Sequence, residues 1–179
     1  MKWSTRHIVL AALFTALTAA GAFIRIPFAP APFTLQTLFT VTAGMILPAQ
    51  LAALSQSAYL ILGLAGLPIF AYGGGPGYVA QPTFGYLLAL PGAAWLCAKL
   101  LQCVRIRNRL WRAGIAATTS QVLILAAGSL WLYAHMHFVQ DHPLAVCQAF
   151  LYGAVVFLPS MLIKSAAAVF LYHRLLTRK

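Results

Sequence analysis

A chain of 179 residues in which 62% of side chains are hydrophobic and 7% charged stands far from the roughly 25% charged composition of soluble globular domains, and this excludes water as the solvent for most of its surface. The formal net charge of +11 does not point to nucleic acid, because the basic residues sit between apolar runs and do not form a patch interleaved with aromatics. Runs of about the length that crosses a bilayer, roughly 20 residues, recur along the chain, so residues 1–179 are expected to form one integral membrane domain.

The first span is expected from Ile8 to Ile24. Lys2 and Arg6 before it and Ala20-Gly21-Ala22 at its end imitate a signal peptide with an A-x-A site. The segment is read as a retained span, because its loss would leave an odd number of spans and divide the basic clusters between two sides. Pro27, Pro30 and Pro32 then forbid helix and favour an extended crossing. Pro48 divides the next apolar stretch into two short spans, Phe33 to Leu47 and Ala49 to Gly63. Six glycines and three prolines between Gly63 and Pro82 make a loop that can fold closely over a ligand but cannot stand bare in hydrocarbon. Thr83 to Cys103 is the fourth span and Ala113 to Ala134 the fifth, with Arg105, Arg107, Arg109 and Arg112 in the loop between them. The last stretch, Leu144 to Tyr172, would measure about 44 Å as one helix against a hydrocarbon core of roughly 30 Å. Pro159 divides it into an outer interfacial helix, Leu144 to Phe157, and a sixth span ending at Arg174.

The expected fold is all-α, a polytopic six-span helical bundle. Lys2, Arg6, the four arginines of the loop, Arg174, Arg178 and Lys179 then share one side; they are nine of the 12 lysines and arginines, and the positive-inside rule makes that side cytoplasmic, both termini included. Asp141, the sole acid, and the glycine-rich connection face outward.

Within the spans, Lys164 stands out, because an intramembrane ionisable residue suggests a functional site by default. No span carries a carboxylate to neutralise it, so a snorkelling lysine competes with one that meets a bound anion or backbone carbonyls. Gln36 and Thr40 share a face of the second span, and Gln56, Tyr59 and Gly63 one of the third; each face fits either a polar pocket or hydrogen bonding between helices. Ala12, Ala16 and Ala20, four apart, form a small-residue face that admits another helix closely, inside the bundle or outside it. Cys97, Cys103 and Cys147 lack metal or redox spacing and are read as apolar filler. His135, His137, Asp141 and His142 are read as meeting interfacial water, with no metal expected. One acid excludes paired-carboxylate catalysis, and neither H-E-x-x-H nor a phosphate-binding G-x-x-x-x-G-K-[ST] occurs. Any ATP-driven step belongs to a partner.

Pro30-Ala31-Pro32-Phe33-Thr34-Leu35-Gln36-Thr37-Leu38 closely resembles the BioY family, the biotin-specific S components of energy-coupling-factor (ECF) transporters. In order, Ala43-Gly44 matches the expected span and the run Gly63-Leu64-Ala65-Gly66-Leu67-Pro68-Ile69-Phe70-Ala71 matches the family's third connection. Pro82-Thr83-Phe84-Gly85-Tyr86-Leu87 resembles its P-T-G-G-Y-L, and Phe157-Leu158-Pro159 with Leu162-Ile163-Lys164 its F-x-P-G-D-x-x-K. The resemblance covers nearly the whole chain. It implies six spans in a bacterial cytoplasmic membrane, an outward-facing vitamin pocket roofed by connecting loops, and a first-span A-x-x-x-A face against the transmembrane coupling subunit of an ATPase-driven assembly. Tyr86 and Lys164 inherit pocket roles, and Ala12, Ala16 and Ala20 the partner-facing role. Ser160 and Met161 stand where the family has Gly-Asp, Phe84 replaces a glycine, and Gln81 replaces the glycine before Pro82.

Biotin requires apolar walls for its rings, donors and acceptors for its ureido group, and a cation for its valerate. Met161 cannot accept from ureido N–H groups as an aspartate would, and Gln36, Gln56 or Gln81 are the candidate substitutes. The function expected is biotin uptake by a non-enzymatic, cofactor-free, substrate-binding membrane component. An S component for another vitamin or a biotin precursor is the alternative within transport, and an intramembrane enzyme the alternative outside it.

Overall fold

The computed structural model describes residues 3–27, 31–138 and 146–177. Lys2, Pro30, Asp141, His142, Arg178 and Lys179, and the expected start of the interfacial helix at Leu144, lie outside the described residues. Helices α1 (Thr5–Phe23), α2 (Gln36–Ile46) and α3 (Ala49–Leu64) are followed by α4 (Phe84–Leu88), α5 (Leu90–Cys103), α6 (Arg109–Phe138), α7 (Val146–Gly153) and α8 (Leu158–Thr177). Pro91 sits in the first turn of α5, where its missing N–H costs no hydrogen bond, and α4 with α5 makes one apolar rod, Phe84–Cys103.

Among the described residues, four stretches are long and apolar enough to cross a membrane: Thr5–Phe23, Phe84–Cys103, Arg109–Phe138 and Cys147–Leu175. The remaining two rods of the bundle are shorter. At 1.5 Å per residue α3 measures about 24 Å and α2 about 16 Å. The shortness of α2 corrects the span expected from Phe33. Phe33–Thr34 is β2, paired antiparallel with β1 (Arg25–Ile26), with Arg25 opposite Thr34 and Ile26 opposite Phe33. The two strands therefore lie side by side as a hairpin and not at the two ends of a straight extended crossing. Its return is pinned where the Leu35 N–H donates to the Gly21 carbonyl at 3.0 Å.

This hairpin lowers α2 into the middle of the bundle, where it packs against α1, α3, α5, α6 and α8. Gly44 makes the approach to α5 possible: a Cβ there would stand 2.6 Å from the Ala94 carbonyl oxygen and 2.7 Å from the Cys97 Cβ. Cys97 is buried filler, as expected, and its Sγ–H lies 3.6 Å from the Val41 carbonyl; Cys103 and Cys147 are exposed.

Gly63, the expected end of the third span, lies in the last turn of α3 under the Phe70 ring. Two boundaries depart from the sequence reading. The basic connection spans 104–108, and Arg109 and Arg112 already lie in the first turns of α6, capped by Asn108 Oδ1 accepting from the Leu110 N–H at 2.9 Å. α6 also runs four residues past Ala134, because Trp131 Nε1 and His135 Nε2 donate to the carbonyls of Gln81 (3.1 Å) and Ala80 (2.6 Å) and so fasten the glycine-rich connection to its last turns. At the other end of the chain, the long final stretch breaks where the sequence indicated, with a 3-10 turn over Val155–Phe157 and Pro159 in the first turn of α8.

Candidate functional site

Consecutive rods alternate in direction, so the hairpin, the glycine-rich connection and the starts of α4 and α8 gather at the end of the bundle opposite the 104–108 connection. There they surround a cleft with about 70 Å³ of space accessible to water, concave and mostly apolar as small-molecule sites are. Pro32, Thr34, Gln36 and Thr37 line it from the hairpin and α2, Ala71 and Tyr78 from the connection, Tyr86, Leu87 and Leu90 from α4 and α5, Gln121, Ile124 and Leu125 from α6, and Phe157, Met161 and Lys164 from α8. Beneath it lies a packed floor of Tyr59, Phe70, Tyr78, Phe84, Leu87, Leu90 and Ile124.

The walls are aromatic and aliphatic. Phe157 tilts against Phe33 at 4.6 Å and against Tyr86 at 6.1 Å between ring centroids. Tyr86 reaches its place because Gly128 of α6 has no side chain, its Cβ position being filled by the Tyr86 ring, and its hydroxyl donates to the Gly153 carbonyl at 2.6 Å, tying α4 to α7. Tyr78 faces the cleft from a 3-10 turn over Pro76–Ala80, and burial pushes its phenol up from the ordinary value, so it stays a neutral hydroxyl.

The polar groups differ in what they have left to offer. Gln36 is engaged at both ends of its amide: Oε1 accepts from the Thr34 hydroxyl at 2.8 Å and Nε2 donates to the Tyr59 hydroxyl, which in turn donates to the Ile69 carbonyl at 3.0 Å. Lys164 Nζ donates to the Thr34 carbonyl at 3.3 Å, which leaves donors of a three-donor ammonium for a ligand. Thr37 Oγ1 is buried with no hydrogen-bond partner. Gln121, 3% exposed, donates through Nε2 to the Met161 carbonyl at 3.3 Å and the Ser165 hydroxyl at 3.4 Å.

Of the residues singled out from the sequence, Lys164, Tyr86 and Gln36 come together at the cleft, whereas Gln56 and Gln81 do not. Gln56 is fully buried between helices, its Oε1 accepting from Thr40 at 2.9 Å and Thr18 at 3.3 Å while Nε2 donates to Ser55 at 3.2 Å; it holds α1, α2 and α3 together. Gln81 is exposed, and its backbone carbonyl makes the contact to Trp131. Ala12, Ala16 and Ala20 lie on the exposed face of α1, opposite the buried Phe14, Thr18, Gly21 and Ala22. No group of three or more His, Cys, Asp or Glu side chains that could hold a metal occurs among the described residues. Thr37 and Gln121 were not singled out. For Gln121 a signal existed, since it is the one side-chain amide between Ala113 and Ala134, in a segment where polar groups are costly.

The BioY family model matches residues 1–179. The chain belongs to the BioY family. It is a family of transporter components, not of enzymes. Among curated relatives, a "Probable biotin transporter BioY" of Lysinibacillus sphaericus is 38% identical over 153 residues, covering 85% of this chain and 77% of the relative. A "Probable biotin transporter BioY" of Pyrococcus horikoshii is 33% identical over 171 residues, covering 95% and 96%. The "Biotin transporter BioY" of Rhizobium etli is 31% identical over 175 residues, covering 94% and 91%. A crystal structure of the S-component for biotin from an ECF-type ABC transporter superposes with a TM-score of 0.82 over 98% of this chain and 95% of that one, at 24% identity, which establishes the fold as an all-α membrane bundle of that type.

Proposed function

We propose that this chain binds biotin at the loop-covered cleft and carries it inward as the substrate-binding component of a vitamin transporter. The observation that carries this is a cleft, in a chain of the BioY family, where aromatic walls for a fused ring system converge with an intramembrane cation and unengaged polar groups. The valerate carboxylate meets Lys164, for which no acid competes in any span; the ring system lies against Tyr86, Phe157 and Leu90. Met161 on the wall favours, as a second reading, another small vitamin or a biotin precursor as the ligand.

The exposed alanine face of α1 supports docking of a membrane coupling subunit that transmits the work of ATPases, since small residues allow helix backbones to approach closely. Arg105 and Arg107 in the connection and Arg109 and Arg112 in α6 support a cytoplasmic location for the end opposite the cleft, with the chain in a bacterial cytoplasmic membrane and the cleft open outward.

Equilibrium binding of labelled biotin to the purified protein, with desthiobiotin and unrelated vitamins as competitors, tests the reading. Saturable binding displaced by biotin at the lowest concentration is the expected result. Displacement by a precursor at lower concentration than biotin would favour the second reading, and release of altered ligand would favour an enzyme.

A further inference from the structure

The cleft contains cation and hydroxyl donors in plenty, but its fixed acceptors are few. The Gln36 carbonyl oxygen is already occupied by Thr34, the Tyr86 hydroxyl is directed at Gly153, the wall at position 161 is a thioether, and the only acid lies outside the described residues. Gln121 is the exception. Its amide is held in one orientation, because Nε2 donates to the Met161 carbonyl, a group that can only accept, and to the Ser165 hydroxyl one helical turn on. An amide with its nitrogen so fixed turns Oε1 away from those partners, and no described residue donates to it. The side chain is buried yet lines the cleft. An amide oxygen that faces the cleft without a donor from the protein keeps its lone pairs for a ligand.

We infer that Gln121, clamped to α8 through its amide nitrogen, presents Oε1 as the acceptor that reads N–H donors of the bound ligand, and so sets selectivity for a cyclic urea over ring systems without N–H groups. The inference rests on the cleft being the biotin site. It assigns the ureido end to the α6 side of the cleft and the valerate end to Lys164. It also accounts for how an apolar Met161 is tolerated there: the acceptor comes from the helix facing α8, and the backbone of Met161 itself aims it.

The test compares biotin with its ureido N-methylated analogue on the wild-type protein and on Gln121→Leu and Gln121→Met, with the melting temperature of each ligand-free protein recorded. Loss of a neutral hydrogen bond predicts that both variants weaken biotin by about threefold to tenfold, while affinity for the methylated analogue changes little. A parallel loss for both ligands would assign Gln121 to fastening α6 against α8 and overturn the inference. So would wild-type protein that binds the methylated analogue as tightly as biotin, a result that needs no variant to fold. Wild-type protein that binds neither ligand would remove the biotin reading together with the inference, whereas the first two outcomes leave biotin binding standing.

Discussion

Lys164 and Gln56 are both polar residues in apolar helices, and their surroundings separate them. Every polar atom of Gln56 is satisfied by Thr18, Thr40 and Ser55, so its desolvation is compensated within the bundle and nothing is left to bind a ligand. Lys164 has one backbone carbonyl at 3.3 Å and an open cleft beside it. Replacing Lys164 by Met should weaken biotin by about tenfold to a hundredfold, the loss of a charge-assisted hydrogen bond of roughly 1.5–3 kcal/mol. Biotin amide should lose much less. Measuring acid and amide on both proteins decides: equal loss would move Lys164 to the ureido end, and no loss would make it a snorkelling residue. Thr37→Val keeps shape while removing a cleft hydroxyl without a partner. Because the free protein loses no hydrogen bond, its melting temperature should hold while biotin affinity falls several-fold; a lowered melting temperature with unchanged affinity would contradict a ligand contact.

At the scale of elements, two helix surfaces carry opposite expectations. Gly128 on α6 receives the Tyr86 ring, so Gly128→Ala overpacks that contact by about 1–3 kcal/mol and displaces the ring that ties α4 to α7. Biotin affinity should fall by about fivefold to a hundredfold by the same energy. In a Tyr86→Leu background the added methyl should cost little, and a cost that persists there would mean the clash lies elsewhere. Ala16 on α1 is exposed. Ala16→Trp should therefore change biotin affinity by no more than about twofold, as exposed substitutions do, while uptake in cells drops toward background because the partner can no longer approach. Loss of binding and uptake together, with an unfolded protein, would remove the support for a partner-facing α1.

For the whole molecule, the alternating rods place the cleft and the basic end apart, and this arrangement has a topological consequence. A single cysteine at position 109 should react with a membrane-impermeant maleimide only after the membrane is opened, whereas one at Leu67, exposed in the glycine-rich connection, should react in intact cells. Labelling of position 109 from outside would invert the orientation and with it the outward cleft.

Span number, the break before Pro159 and the basic clusters were legible in the sequence, because hydropathy, proline and charge act locally and need no knowledge of neighbours. The family was legible from short ordered motifs for a related reason, since each fixes a local backbone course. Which polar residues face a ligand was not legible. Gln36, Gln56, Gln81 and Gln121 carry the same amide, and only the tertiary packing decides that Gln56 is enclosed by three hydroxyls, that Gln81 faces out, and that Gln121 has its nitrogen held by α8. Likewise the A-x-x-x-A spacing on α1 shows that another helix can approach, but its exposure depends on where α2 and α3 pack. A side chain's hydrogen-bonding capacity is a property of its type; what remains of that capacity after folding depends on partners distant in sequence, 40 residues away in the case of Gln121 and Met161.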